Sequence, residues 1–204
     1  MLTLSELQYD ALGEIFNIGV GRAAASLSQI VNDEVQLNAP AVSLIHIEQA
    51  SRLLHSSELQ QFSSVSQTFS GPFVAQALLV FPESNALEIV RLMVGPHMST
   101  DEVSEFEQEA MCEIGNIILN ACMSSLADIF HISFSSTLPL HRFGDAENLP
   151  VLEGDEDQMV LLLQVDMVIS QQHIQGHILF LLSVASMHSL VACLDDYLKA
   201  QGLF

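Results

Sequence analysis

DALGEIFNIGVGRAAASL at residues 10–27 and EAMCEIGNIILNACMSSL at residues 109–126 decide how this chain is read. In the first, Asp10, Glu14 and Asn17 are spaced i, i+4, i+7. At about 100° per residue they share one face of a helix. Glu109, Glu113 and Asn116 repeat that spacing in the second stretch. Beside the polar triads run apolar stripes, Leu7-Ala11-Ile15-Ile18 and Ala110-Ile114-Ile117-Ala121, roughly 90° away on the wheel and on the same hand. Each helix is therefore expected to bury one side and present its carboxylates and amide to solvent.

Working outward, Pro40 and Pro139 each follow the motif Asn by 23 positions, where a helix stop and a turn into the next strand are expected. Thr3-Leu4-Ser5-Glu6 has the form of a capping box. The first helix then runs from Leu4 to about Val31 and ends at Asn32-Asp33. Strands are expected at Val42–Ile47, Val65–Ser70 and Phe73–Phe81, the last two joined as a hairpin over Gly71-Pro72. Ser51–Gln61 is ambiguous, and Ser84–Val94 reads as a helix stopped by Gly95-Pro96.

The same order recurs further along. A helix over Ser104–Ile129 is followed by Pro139, a strand near Leu140, strands at Met159–Ile169 and Ile174–Ser183, and a helix near Ser186–Ala200. The halves differ mainly at the acidic stretch Gly144–Asp157, read as an inserted loop. The expectation is a single domain over 1–204 made of two homologous halves, about 1–98 and 99–204. Its fold class is α+β with pseudo-twofold symmetry, an antiparallel sheet of about six strands carrying the long helices on one face.

Composition narrows the function. Half of the 204 residues are apolar, 6% are aromatic and none is Trp, so the core is aliphatic and disorder is not expected. The 25 acidic residues against five basic ones give a net charge of -20, which excludes nucleic acid as a partner. Three cysteines without Cys-x-x-Cys spacing fit a reduced, cytoplasmic protein. The apolar runs Phe73–Phe81 and Ile178–Met187 are too short to span a bilayer, so no membrane insertion is expected. The eight histidines show no ligand spacing, and neither a phosphate loop nor a nucleophile elbow is present; no metal or cofactor of the chain's own is expected.

A single Glu-x-x-Asn on a helix is usually just a solvated polar face. Its repetition, with the proline at the same distance, reverses that reading. The pattern resembles the CheC-type phosphatases of bacterial chemotaxis, a family with CheX and FliY relatives, whose signature is Asp or Ser, x3, Glu, x2, Asn, x22, Pro. Asp10, Glu14, Asn17 and Pro40 match it in full. Glu113, Asn116 and Pro139 match it too, but Glu109 stands where the family has Asp or Ser. Two motifs per chain are closer to CheC than to CheX.

The resemblance implies a phosphatase acting on a phospho-aspartate of a CheY-like response regulator, which brings its own bound magnesium ion. Asn17 and Asn116 would orient the attacking water, and Glu14 and Glu113 would anchor the regulator's active-site lysine. Asp10 and Glu109 are assigned as secondary contacts. A CheD-like deamidase is a candidate second partner. The alternatives are a non-catalytic module that sequesters a phosphorylated regulator and a structural component of the flagellar switch. Gly19 and Gly21 are poor helix residues that suggest a close helix contact or room for a partner backbone, with core packing the expected cause. Their counterparts Ile118 and Asn120 are not glycines, and Asn120 reads as a solvated polar group.

Overall fold

The computed structural model describes residues 3–39, 41–56, 61–94, 100–144, 158–169 and 171–203. Pro40, Gly95-Pro96 and all of the expected inserted loop beyond Gly144 lie outside them.

The first helix, α1 (Glu6–Val31), opens two residues later than the Thr3 capping box would place it. Ser5 is the N-cap: its Oγ accepts from Gln8 N at 3.3 Å, and Gln8 Oε1 accepts from Ser5 N at 2.8 Å. Both Thr3-x-x-Glu6 and Ser5-x-x-Gln8 satisfy the pattern locally. The Ser5 box has an added tertiary bond, because Gln8 Nε2 also donates to Asp195 Oδ1 at 2.6 Å. At its other end α1 stops at Asn32 in the left-handed region, φ 51°.

Strands β1 (Val35–Asn38) and β2 (Val42–His46) follow, then α2 (Ile47–Ser56), the hairpin β3 (Phe62–Ser70) and β4 (Val74–Pro82), and α3 (Glu83–Val94). After α4 (Thr100–Phe130) come β5 (Ser135–Ser136), β6 (Leu140–Gly144), the hairpin β7 (Met159–Ile169) and β8 (Gln172–Leu182), and α5 (Val184–Ala200). Helix α4 ends at His131, φ 55°. Helix α1 thus ends at the Asn32 that the sequence points to, whereas Pro139 is not a helix stop but sits between β5 and β6; left-handed residues end both long helices.

Among the described residues all strands join one antiparallel sheet whose central path is β7-β8-β4-β3. Each edge is split between two short strands, β1 and β2 on β7, β5 and β6 on β3. Eight strands therefore occupy six positions. The pairing is crossed: strands that follow α1 lie on β7 of the second half, and strands that follow α4 lie on β3 of the first. Strands β1 and β5 escape a reading by alternation because they are short and, in β5, polar.

Helices α1, α3, α4 and α5 cover one face, burying Val65, Phe69, Leu79, Phe81, Leu163, Val165, Ile178 and Phe180 beneath them. The short α2 lies on the opposite face, where Ile47, Ala50 and Leu54 pack on Phe62, Leu78, Val80, Val160, Leu179 and Leu181. Residues Phe106–Phe130 of α4 are long and apolar enough to cross a membrane by length and composition, which the sequence reading did not register. That apolar surface is used within the fold, where Met111, Ile114, Ile118, Leu119 and Cys122 are buried. All three cysteines are free thiols.

The buried face of α1 is not the stripe the sequence suggests. Leu12, Ile15, Phe16, Gly19, Val20, Ala23 and Leu27 are buried, whereas Ile18 is 39% exposed and Leu7 and Ala11 are only half-buried. On a wheel of about 100° per residue the core direction is then roughly 150° from Asp10-Glu14-Asn17. The same turn applies in α4, where Met111, Ile118 and Cys122 are buried and Ile117 and Ala121 are half-buried. Glycine and alanine mark the true seam. A Cβ on Gly19 would stand 2.8 Å from Cys122 Cα and 3.1 Å from Ala121 O, so α1 and α4 meet backbone to backbone.

Candidate functional site

Because the core lies nearly opposite, the motif faces of α1 and α4 point outward. Asp10, Glu14 and Asn17 are all exposed. One contact holds Asn17: its Oδ1 accepts from the backbone N–H of Ala39 at 3.1 Å, in the turn between β1 and β2. One helical turn on, Gly21 is exposed, and a Cβ there would meet nothing within 4 Å. The ground beside Asn17 is open. Of the two glycines, close packing explains Gly19 and not Gly21.

The second face is built differently. Glu109 and Glu113 are exposed, but Asn116 is half-buried. Its Oδ1 accepts from Gln67 Nε2 at 3.3 Å and from Asn120 Nδ2 at 2.8 Å. Gln67, on β3 and 2% exposed, also donates to Thr137 O at 3.0 Å. Asn120 Nδ2 reaches Asn116 O at 2.7 Å and Gln67 Oε1 at 3.3 Å. Asn120 is therefore not a solvated polar group but part of a network of three amides.

Close contact between helix and sheet makes that network possible. A Cβ on Gly115 would lie 2.4 Å from Val65 Cγ1, so α4 rests directly on β3 and brings Asn116 within reach of Gln67 two residues along the strand. Asn120 had a signal in the sequence, since it replaces the glycine found at the matching position of α1. Gln67 had one only in retrospect, as a polar residue at an inward position of a strand.

Beside Glu109 and Glu113 lies an open groove of about 620 Å³ lined by Met93, Phe106, Ala110, Cys112 and Pro139. Cys112 Sγ approaches Pro139 O at 3.8 Å. Pro139 therefore shapes the rim of the second site. Among the described residues no three His, Cys, Asp or Glu side chains come together as a metal site.

Chemically, each face offers a carboxylate that can pair with a cation and, one turn away, an amide: that of Asn17 is open both to donate and to accept, whereas that of Asn116 already has its oxygen engaged. Among the described residues no nucleophile on either face is hydrogen-bonded to a base, the Cys112 thiol being turned to Pro139 O, and the motif residues are equipped to position a reaction whose electrophile arrives with a partner.

A model of the CheC-like family matches residues 7–44, the segment that contains Asp10, Glu14 and Asn17. The chain is 22% identical over 200 residues to the CheY-P phosphatase CheC of Bacillus subtilis, covering 94% of this chain and 95% of the relative. The crystal structure of FliY from Thermotoga maritima has the same fold, with a TM-score of 0.77 at 19% identity, covering 96% of this chain and all of that one. CheX of Borrelia burgdorferi, solved in complex with CheY, BeF3 and Mg2+, matches with a TM-score of 0.53 at 17% identity over 83% of this chain and 97% of the other. With the doubled Glu-x-x-Asn helices on such a fold, the chain is similar to the CheC-like family in the segment that carries its first motif, to CheC along nearly its whole length and to FliY in fold.

Proposed function

We propose that this protein accelerates hydrolysis of the phospho-aspartate on a CheY-like response regulator. The observation that carries the proposal is an exposed Glu one helical turn before an Asn, presented twice on faces that turn away from the core. The relative named as a CheY-P phosphatase, and the CheX solved with CheY, supply the class of partner.

An acyl phosphate already has a good leaving group, and the regulator carries the magnesium ion and lysine that neutralise phosphoryl charge. What remains to be supplied is an ordered water. Glu14 or Glu113 pairs with the regulator's lysine and sets the register of the helix in the regulator's active site. Asn17 or Asn116 then holds a water in line with the phosphorus. The water oxygen bonds to phosphorus, the bond from phosphorus to the aspartyl oxygen breaks, the aspartate is left as its carboxylate, and inorganic phosphate leaves with both of the water's protons. The reaction belongs in the cytoplasm, with the regulator. Asp10 and Glu109 flank the contact as secondary residues.

The test is release of inorganic phosphate from a phosphorylated CheY-type receiver. Asn17→Ala together with Asn116→Ala is expected to lower the acceleration at least about a hundredfold while receiver binding survives. Full activity in that double variant would sink the proposal. Binding by the wild-type protein without faster release would make it a sequestering module instead.

A further inference from the structure

Given the phosphatase reading above, we propose that Gln67 and Asn120 are positioning residues that lock Asn116 with its carbonyl oxygen turned inward, making the second site the slower of the two. The lock is visible in the bonds. A carbonyl oxygen has two lone pairs, and both on Asn116 Oδ1 face donors, Gln67 Nε2 at 3.3 Å and Asn120 Nδ2 at 2.8 Å; the two hydrogens of Asn120 Nδ2 serve the two near oxygens of Asn116, and Gln67 Oε1 at 3.3 Å shares them more weakly.

Which end of each amide faces inward is fixed by backbone. Gln67 must present its NH2 to Thr137 O at 3.0 Å, and Asn120 must present its NH2 to Asn116 O at 2.7 Å. With both neighbours so oriented, only the oxygen of Asn116 fits between them. Its own NH2 is left to face a docked partner. It can donate to phosphoryl oxygens or to the water's oxygen, but it has no acceptor free for a water proton.

The first site lacks both parts of the lock. Gly21 stands at the position of Asn120, 99 residues earlier, as Asn17 does to Asn116. The strand partner is found from register: Leu37 pairs with Met167 and its counterpart Ser136 pairs with Phe69. Counting two residues back along each strand, the counterpart of Gln67 is Val165, a fully buried apolar residue. Asn17 Oδ1 accepts one bond, from Ala39 N, and keeps a lone pair for a water proton. An amide that both donates and accepts can fix a water's position and its orientation. One that only donates fixes less.

The experiment isolates the second site with Asn17→Ala and compares phosphate release from a phosphorylated CheY-type receiver with and without Asn120→Ala, which removes the donor and favours the helix. Asn120→Gly, which reproduces the residue of the first site, is the second variant. Each is expected to raise kcat about five-fold, the equivalent of one hydrogen bond, with KM within about twofold. An unchanged kcat, or an effect confined to KM, overturns the lock.

A second readout needs no receiver. The side-chain NH2 resonances of Asn116 in the full chain should shift in Asn120→Ala, and resonances that stay in place overturn the lock as well. If the wild-type protein releases no phosphate faster than the receiver alone, the phosphatase reading fails, and the NH2 resonances still decide whether Asn116 is held.

Discussion

Helices α1 and α4 carry the same motif on the same kind of face, yet they rest on the sheet in different ways. Phe16 is fully buried under α1 and stacks on Phe180 of β8 with ring centroids 5.2 Å apart. The matching position in α4 is Gly115, pressed on Val65. An aromatic spacer carries α1 on the sheet, and a missing side chain lets α4 touch it. Hence Asn116 is drawn into a network with a strand residue, whereas Asn17 remains exposed and is held by one backbone amide. A motif face can be copied while the floor beneath it is not, and the floor decides how many of the motif's polar atoms stay free.

The strongest way to break this comparison is to alter the floor. Phe16→Ala removes a fully buried ring and is expected to cost about 3–5 kcal/mol of stability. Gly115→Ala gains helix propensity but drives a Cβ into a stiff, buried valine; the net cost is expected to be about 1–3 kcal/mol. Chemical denaturation measures both. A neutral Gly115→Ala would mean that α4 can lift off β3 at little cost, and the contrast between the two supports would fall.

The glycines of α1 sharpen the same point with smaller effects of opposite sign. Gly19→Ala puts a methyl against the Cys122 backbone, so the helices must separate, at a cost of about 1–3 kcal/mol. Gly21→Ala enters open space and removes freedom from the unfolded chain, which is expected to stabilise by about 0.5–1 kcal/mol. Thermal unfolding of the pair should move the midpoint in opposite directions. A shift of the same sign in both would mean that Gly19 is not the seam.

These contrasts mark how far the sequence could be read. Polar residues at i, i+4, i+7 located the exposed faces, because a helix period converts directly into direction. Both hairpins and all four longer helices on the upper face were likewise readable from period and turn residues. The buried face was misjudged because it is lined by Gly19, Ala23 and Ala24 as much as by large side chains; exposed Ile18 and half-buried Leu7 and Ala11 imitated a core stripe. Asn32 ends α1 where the sequence places the stop, and α4 runs one residue past the expected Ile129 to stop at His131; the left-handed backbone at both ends is what residue type alone does not reveal. The crossed pairing of edge strands had no local signal, since it depends on which distant strand leaves an edge open.

The subtlest difference between the halves concerns their edges. His141 on β6 pairs with Val65, and its Nε2 lies 2.7 Å from the buried Ser63 Oγ. Val42, the corresponding residue of β2, cannot titrate. Burial lowers the His141 pKa from the ordinary 6.5, although Glu107 lies 3.8 Å away. The unfolded chain therefore takes up its proton first. His141 gives its full support above about pH 6.5 and loses it as the pH falls toward the lowered folded value. His177 on β8 is shifted in the same direction, chiefly by burial, with Asp166 opposing. The diagnostic quantity is the difference between edges. Amide exchange, corrected for its intrinsic pH dependence, should accelerate in β6 more than in β2 between about pH 7 and 5.5. His141→Gln, which keeps a partner for Ser63 and cannot charge, should abolish that difference. Equal acceleration of the two edges, or a difference that survives the substitution, would remove His141 as its source.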